Sequence, residues 1–202
     1  MYSEEDGRAA VAFARAVIGS HLSGNGELPV LPDIFKNESG AFVTLKTFPA
    51  HELRGCIGYI EGIKPLGETI EDVAVSAATR DPRFPPVTAA EMERLAVEVS
   101  LLTPLEIVPA KGEGLADEVT VGVHGLVVER GMARGVLLPQ VPVEYGWDAS
   151  TFLAHTCMKA GLNAGAWLGP NIVFYRFSAE VFEEVEPNGE IRRKDMGACG
   201  TE

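Results

Sequence analysis

Residues 42–60 read FVTLKTFPAHELRGCIGYI, and this stretch decides the fold because it holds two strands and the connection between them. In PheValThrLeuLysThrPhe, 42–48, apolar and polar side chains alternate with the period of two that marks a half-buried strand. LeuArgGlyCysIleGlyTyrIle, 53–60, is predicted to be its paired strand. Its core, ArgGlyCysIleGly, sets a soft nucleophile between two glycines and two places after a guanidinium.

Working outward, Ser3 and Asp6 have the spacing of a capping pair, and Ala10, Phe13, Val17 and Ile18 recur near helical spacing. The first helix is therefore predicted over about 4–21, and the Gly-, Pro- and Asn-rich stretch 23–40 reads as a long loop. On the other side, Pro65 suits the first turn of a helix whose Leu66, Ile70, Val73, Ala74, Ala77 and Ala78 make one apolar stripe ending near Thr79. ArgAspProArgPheProProVal, 80–87, cannot continue that helix, because three prolines remove donors and force extended geometry. Thr88 and Glu91 then cap a short helix.

Val97–Thr103 is a strand pattern. ValThrValGlyVal, LeuValVal and GlyValLeuLeu read as successive strands of a meander, turning at His124-Gly125 and around Gly131. Trp147-Asp148-Ala149-Ser150 opens a helix that Gly161 ends, and IleValPheTyrArgPhe, 172–177, is a late strand. Residues 188–202 read as a mobile tail, with the basic run ArgArgLys at 192–194 a solvated end. Strands and helices cluster instead of alternating strictly, so the class is α+β.

At 202 residues the chain fits one domain, or a larger and a smaller lobe sharing a core. Three cysteines, Cys56, Cys157 and Cys199, form an odd set without CxxC spacing, which argues against a disulfide framework or a zinc ribbon. Neither a basic, apolar leader pattern nor a run approaching roughly 18 apolar residues is seen. A soluble, cytoplasmic protein with no membrane association is expected. The 29 acidic against 17 basic residues give a net charge of −12, which disfavours nucleic-acid binding through phosphates.

Several strings together resemble the AMMECR family: LeuArgGlyCysIleGly at 53–58, AspProArgPheProProVal at 81–87, GluValSerLeuLeuThrPro at 98–104, GlyValHisGlyLeu at 122–126, LeuLeuProGlnVal at 137–141, and the LysAlaGlyLeu that follows Cys157. The similarity spans roughly residues 5–180 in unchanged order. It implies an α+β fold with an antiparallel sheet flanked by helices, in two lobes of unequal size with a cleft between them lined near the cysteine motif. It also implies Memo-like and radical-SAM proteins as companions. No settled biochemical activity comes with it.

The chemistry the residues offer centres on Cys56. A thiolate attacks electrophiles, and on an extended strand Arg54 and Cys56 project to the same face, where the guanidinium favours the charged sulfur. Gly55 and Gly58 then permit close approach of a ligand. The competing reading makes Cys56 a small buried hydrophobe, with both glycines serving tight packing. A base, if acyl transfer is the chemistry, must come from His21, His51, His124 or His155; His124 is preferred, beside Gly125.

Arg80, Asp81 and Arg83 stand in the proline-stiffened loop. They either present guanidinium forks to a carboxylate or phosphate, or pair with one another to hold the loop on the body. Cys157 lies on a helical apolar stripe and is expected to be inert, and Cys199 is an incidental tail thiol. No phosphate loop, GxGxxG or GxSxG string is present, and no close ligand pair supports a metal, so neither cofactor nor metal is expected. Two function classes follow: an enzyme using Cys56 with His124, or a non-catalytic module binding a small molecule or protein through the same residues.

Overall fold

The computed structural model describes residues 2–194 and divides the chain into two compact units. The first comprises residues up to Pro104 together with Glu180–Lys194, and the second Leu105–Ala179. Cys199 and the end of the expected tail lie outside the described residues.

In the first unit, helix α1 (Glu4–Ser23) starts where the sequence predicts. The Ser3 hydroxyl accepts the Asp6 N–H while the Asp6 carboxylate accepts the Ser3 N–H, satisfying donors that the first turn leaves without helical partners. Strand β1 (Ala41–Thr47) pairs antiparallel with β2 (Leu53–Tyr59), and helix α2 (Leu66–Thr79) follows. A short helix α3 (Ala89–Met92), begun by the Thr88 hydroxyl accepting the Glu91 N–H, leads into β3 (Leu95–Leu102), which pairs with the other side of β1. The stretch 24–40 is irregular, as its Gly, Pro and Asn content predicts, apart from one 3₁₀ turn, Asp33–Lys36.

Alternation on β1 sends Val43 and Leu45 to one face of the sheet, where they join Ile18, Ile70, Val73 and Val97 in the core. Each such fully buried aliphatic side chain contributes roughly 1.5–3 kcal/mol. Thr44 and Lys46 point to the opposite face, as do Arg54 and Cys56 of β2 and Glu98 of β3, and this polar face carries the candidate site.

In the second unit a two-residue strand β4 (Glu106–Ile107), β5 (His124–Arg130) and β6 (Ala133–Leu137) accompany helices α4 (Gln140–Glu144) and α5 (Ala149–Lys159). The long strand β7 (Val173–Glu184) follows, its last residues belonging to the first unit. Its core gathers Leu126, Val128, Phe152, Leu153, Cys157 and Phe174, so Cys157 is buried as expected. Within the first unit β1 lies between β2 and β3, and within the second β5 lies between β6 and β7, with β4 also on β7.

Two expectations are corrected. Val119–Val123 is not a strand and His124-Gly125 is not a turn. Thr120 O accepts N–H groups from both Val123 and His124, and Gly122 takes φ 82, so the valines close a turn and His124 opens β5. The hairpin at Gly131 does form, with φ 61. The start of the predicted tail is likewise structured: Asn188 at φ 58 reverses the chain, and strand β8 (Ile191–Arg193) pairs with β7. Arg193 anchors it, donating to Glu4, to Glu180 and to the Tyr2 carbonyl. The basic run is thus an ion-paired strand.

Candidate functional site

β2 is the edge strand of its sheet, so alternate N–H and C=O groups face away from β1 and need partners. At Cys56 the proline-stiffened loop supplies both. The Asp81 carboxylate accepts the Cys56 N–H at 2.8 Å, and the Arg83 guanidinium donates to the Cys56 carbonyl at 3.3 Å. Asp81 in turn accepts from the Arg83 N–H at 3.1 Å and from its guanidinium at 2.9 and 2.7 Å. The Asp81 side chain is only 2% exposed, whereas that of Arg83 is 53% exposed. Arg83 holds the Asp81 carboxyl well below the usual carboxylate range against the burial that pushes it up, and the two backbone donors add to the depression.

The sulfur of half-buried Cys56 has a neighbour that the sequence did not announce. Thr44, directly opposite on β1, donates its hydroxyl to Sγ at 3.3 Å. The Arg83 guanidinium is bonded to the carbonyl of the same residue, and its pKa is raised chiefly by Asp81 and to a lesser degree by Cys56. The cation bonded at Cys56 is therefore Arg83. Arg54, predicted for that place from its i, i+2 spacing, instead grips Glu91 at 2.5 and 3.1 Å and the Pro85 carbonyl at 2.9 Å. Both guanidinium carbons lie over Phe84, 5.8 Å from its ring centre for Arg54 and 5.5 Å for Arg83.

Beyond Thr44 the same row reaches Glu98 on β3. Its Oε2 accepts from Lys46 at 2.6 Å and from Lys194 at 2.7 Å. Burial pushes the Glu98 carboxyl up, and the two ammonium groups outweigh it and hold the group below its ordinary value. Thr44, Lys46 and Glu98 were readable only as the polar alternates of VTLK and VEVS. Nothing local set the register that aligns them with Cys56.

Of the other predicted residues, Gly55 turns toward α2, where an added Cβ would lie 2.2 Å from the Ala77 carbonyl oxygen. At Gly58 it would meet the Phe42 ring at 2.2 Å. Both glycines thus serve close packing. Arg80 closes α2 and is exposed. His124 belongs to the second unit, where Nδ1 accepts the Thr120 N–H at 3.0 Å. Burial lowers its pKa, the charge of Arg176 lowers it further, and Glu106 and Glu118 oppose the shift.

Of the other histidines, His21 is exposed in the last turn of α1 and His51 sits at φ 55 against Phe48. His155 stacks on Trp147 at 3.8 Å. Among the described residues no group of three His, Cys, Asp or Glu side chains is placed to hold a metal, and no helix is long and apolar enough to cross a membrane. A cavity of about 150 Å³ in the first unit, lined by Tyr2, Ile34, Asn37, Ser39 and Pro104 among others, contains none of the predicted site residues.

Comparison with known proteins gives one answer. A Methanocaldococcus jannaschii protein is 50% identical over 194 residues, covering 95% of this chain and 96% of its own length. A Methanothermobacter thermautotrophicus protein is 50% identical over 188 residues, covering 90% and 96%. The crystal structure of an uncharacterised protein from Pyrococcus horikoshii superposes with a TM-score of 0.83 at 45% identity, covering 95% of this chain and 98% of that one. The AMMECR1 family model matches residues 11–182, and the chain belongs to the AMMECR1 family.

Proposed function

We propose that the protein works through Cys56, as the nucleophile of an enzyme or as the thiol that directly contacts its substrate. The observation that carries this reading is a half-buried sulfur that accepts the Thr44 hydroxyl, on a residue whose outward backbone N–H and carbonyl are held by Asp81 and by the guanidinium of Arg83. Donors aimed at a sulfur favour its anionic, attacking form. Arg83, half in solvent, also offers donors to an anionic substrate. The test is alkylation by N-ethylmaleimide, followed by peptide mapping. Cys56 in the folded protein is expected to react faster than in the unfolded chain, and Thr44→Val and Arg83→Gln each slow it. A native rate at or below that of the unfolded chain overturns the reading.

Non-catalytic recognition of a small molecule or protein by the same residues is the second reading. It is favoured by His124, the sequence-predicted base, whose Nδ1 already serves the Thr120 N–H. Cys56→Ser separates the two: an enzyme loses turnover while staying folded, and a binding module keeps its affinity for ligand. Memo-like or radical-SAM companions, and a cytoplasmic setting, stay proposals that rest on family resemblance and composition.

A further inference from the structure

We infer that Lys46 and Lys194, joined on Glu98, form the anion-recognition end of the Cys56 site, and that the molecule bound there carries a carboxylate or phosphate group. This rests on the reading of Cys56 as the working thiol and extends it to the chemistry of the substrate.

Position is the first argument. The register sets Cys56, Thr44 and Glu98 side by side on three adjacent strands. Two strand spacings of about 4.8 Å place Glu98 about 10 Å from the thiol, within the span of a small molecule. Lys46 follows Thr44 by two residues and shares its face.

Donor geometry is the second. Both ammonium groups rest on the same oxygen of Glu98, whose side chain is 12% exposed, while those of Lys46 and Lys194 are 21% and 35% exposed. An ammonium group has three donors. Glu98 takes one from each lysine and Glu183 approaches Lys194 at 3.5 Å, so among the described residues each cation keeps donors for a further oxygen. A carboxylate or phosphate oxygen can bridge the pair as Glu98 does.

Charge is the third. Glu183 is shared with Arg192 at 3.1 Å, so among the described residues three cations, Lys46, Lys194 and Arg192, stand against the two carboxylates Glu98 and Glu183. Among the described residues of the cluster one positive charge is left over, in a chain whose net charge is −12. The two lysines are partly open to water, 21% and 35% exposed, so an incoming anion can reach them without first being buried.

The test compares two maleimides at Cys56, the anionic maleimidopropionic acid and the neutral N-ethylmaleimide, at fixed ionic strength. Their rate ratio is expected to fall on the order of tenfold in the Lys46→Gln/Lys194→Gln double variant, and to be kept in Lys46→Arg/Lys194→Arg. In the unmodified protein, inorganic phosphate or acetate slows the anionic reagent and spares the neutral one. The stronger of these two competitors identifies the anion class, and this arm needs no variant to fold. An unchanged ratio in the glutamine variant, or equal slowing of both reagents by the competitors, overturns the inference and leaves the reading of Cys56 standing. Failure of Cys56 to react with either reagent overturns both.

Discussion

The carboxylate of Asp81 accepts the backbone N–H of Cys56 at 2.8 Å, across 25 residues of sequence. One short side chain thereby turns a proline-stiffened loop into the partner that an edge strand lacks, at the residue whose thiol faces Thr44.

Replacing Asp81 tests that bond directly. Asp81→Ala leaves the Cys56 N–H without its acceptor, at a cost of about 1–3 kcal/mol. Hydrogen exchange at the Cys56 amide is expected to accelerate more than at neighbouring β2 amides bonded to β1. The pH dependence follows from the depressed carboxyl. The folded pKa lies below the unfolded value of about 3.9, so the stabilisation is complete above that value and is lost as pH falls from it toward the folded pKa. Asp81→Asn should flatten the acid limb of the denaturation profile below about pH 4 and leave its slope near neutrality unchanged.

Gly55→Ala is expected to destabilise the first unit, because the new methyl group meets a backbone oxygen of α2 at 2.2 Å and β2 must move off the helix. Overpacking of this kind costs about 1–3 kcal/mol. Thermal unfolding followed by circular dichroism checks it, and an unchanged midpoint would show that the strand and α2 can separate freely.

Local sequence carried the elements well and their meeting points poorly. Ser3 with Asp6, the stripe from Leu66 to Ala78, and the alternation of 42–48 each encode their own structure, because capping and periodicity act over a few residues. The partners of Cys56 come from β1 and from a loop 25 residues away, and register and loop docking are decided by packing of the whole unit. Arg54 shows the limit plainly. Spacing put it on the face of the thiol, but spacing could not reveal Glu91, which takes up its guanidinium. The valines at 119–123 misled for a related reason: strand propensity is overridden when Gly122 at φ 82 lets the chain close a turn.

His124 gives a prediction with a definite sign. Burial and the Arg176 charge both disfavour its imidazolium, so its titration midpoint, read from ring resonances by NMR, should lie below the ordinary value of about 6.5. Arg176→Gln removes the second cause and should raise the midpoint, leaving the larger effect of burial in place. Because the folded pKa is the lower one, His124 withdraws stability as pH falls through the unfolded value toward the folded one.

The pair Arg15 and Glu184 should be the costliest polar contact in the first unit to break from one side. The Glu184 side chain is 2% exposed and that of Arg15 15%. The carboxylate takes the Arg15 guanidinium and also the Val97 N–H at 2.9 Å, and the guanidinium reaches the Leu95 and Met92 carbonyls. The pair therefore joins α1, β3 and β7 around charges largely withdrawn from water. Arg15→Met leaves a buried carboxylate uncompensated and should cost about 3–5 kcal/mol in urea denaturation. Arg15→Met with Glu184→Gln removes both charges, and should recover part of that loss, because the amide still accepts the Val97 N–H and no longer needs a cation. A double variant no more stable than Arg15→Met would mean that the cost lies in the lost carbonyl contacts of Arg15 and not in the stranded charge of Glu184.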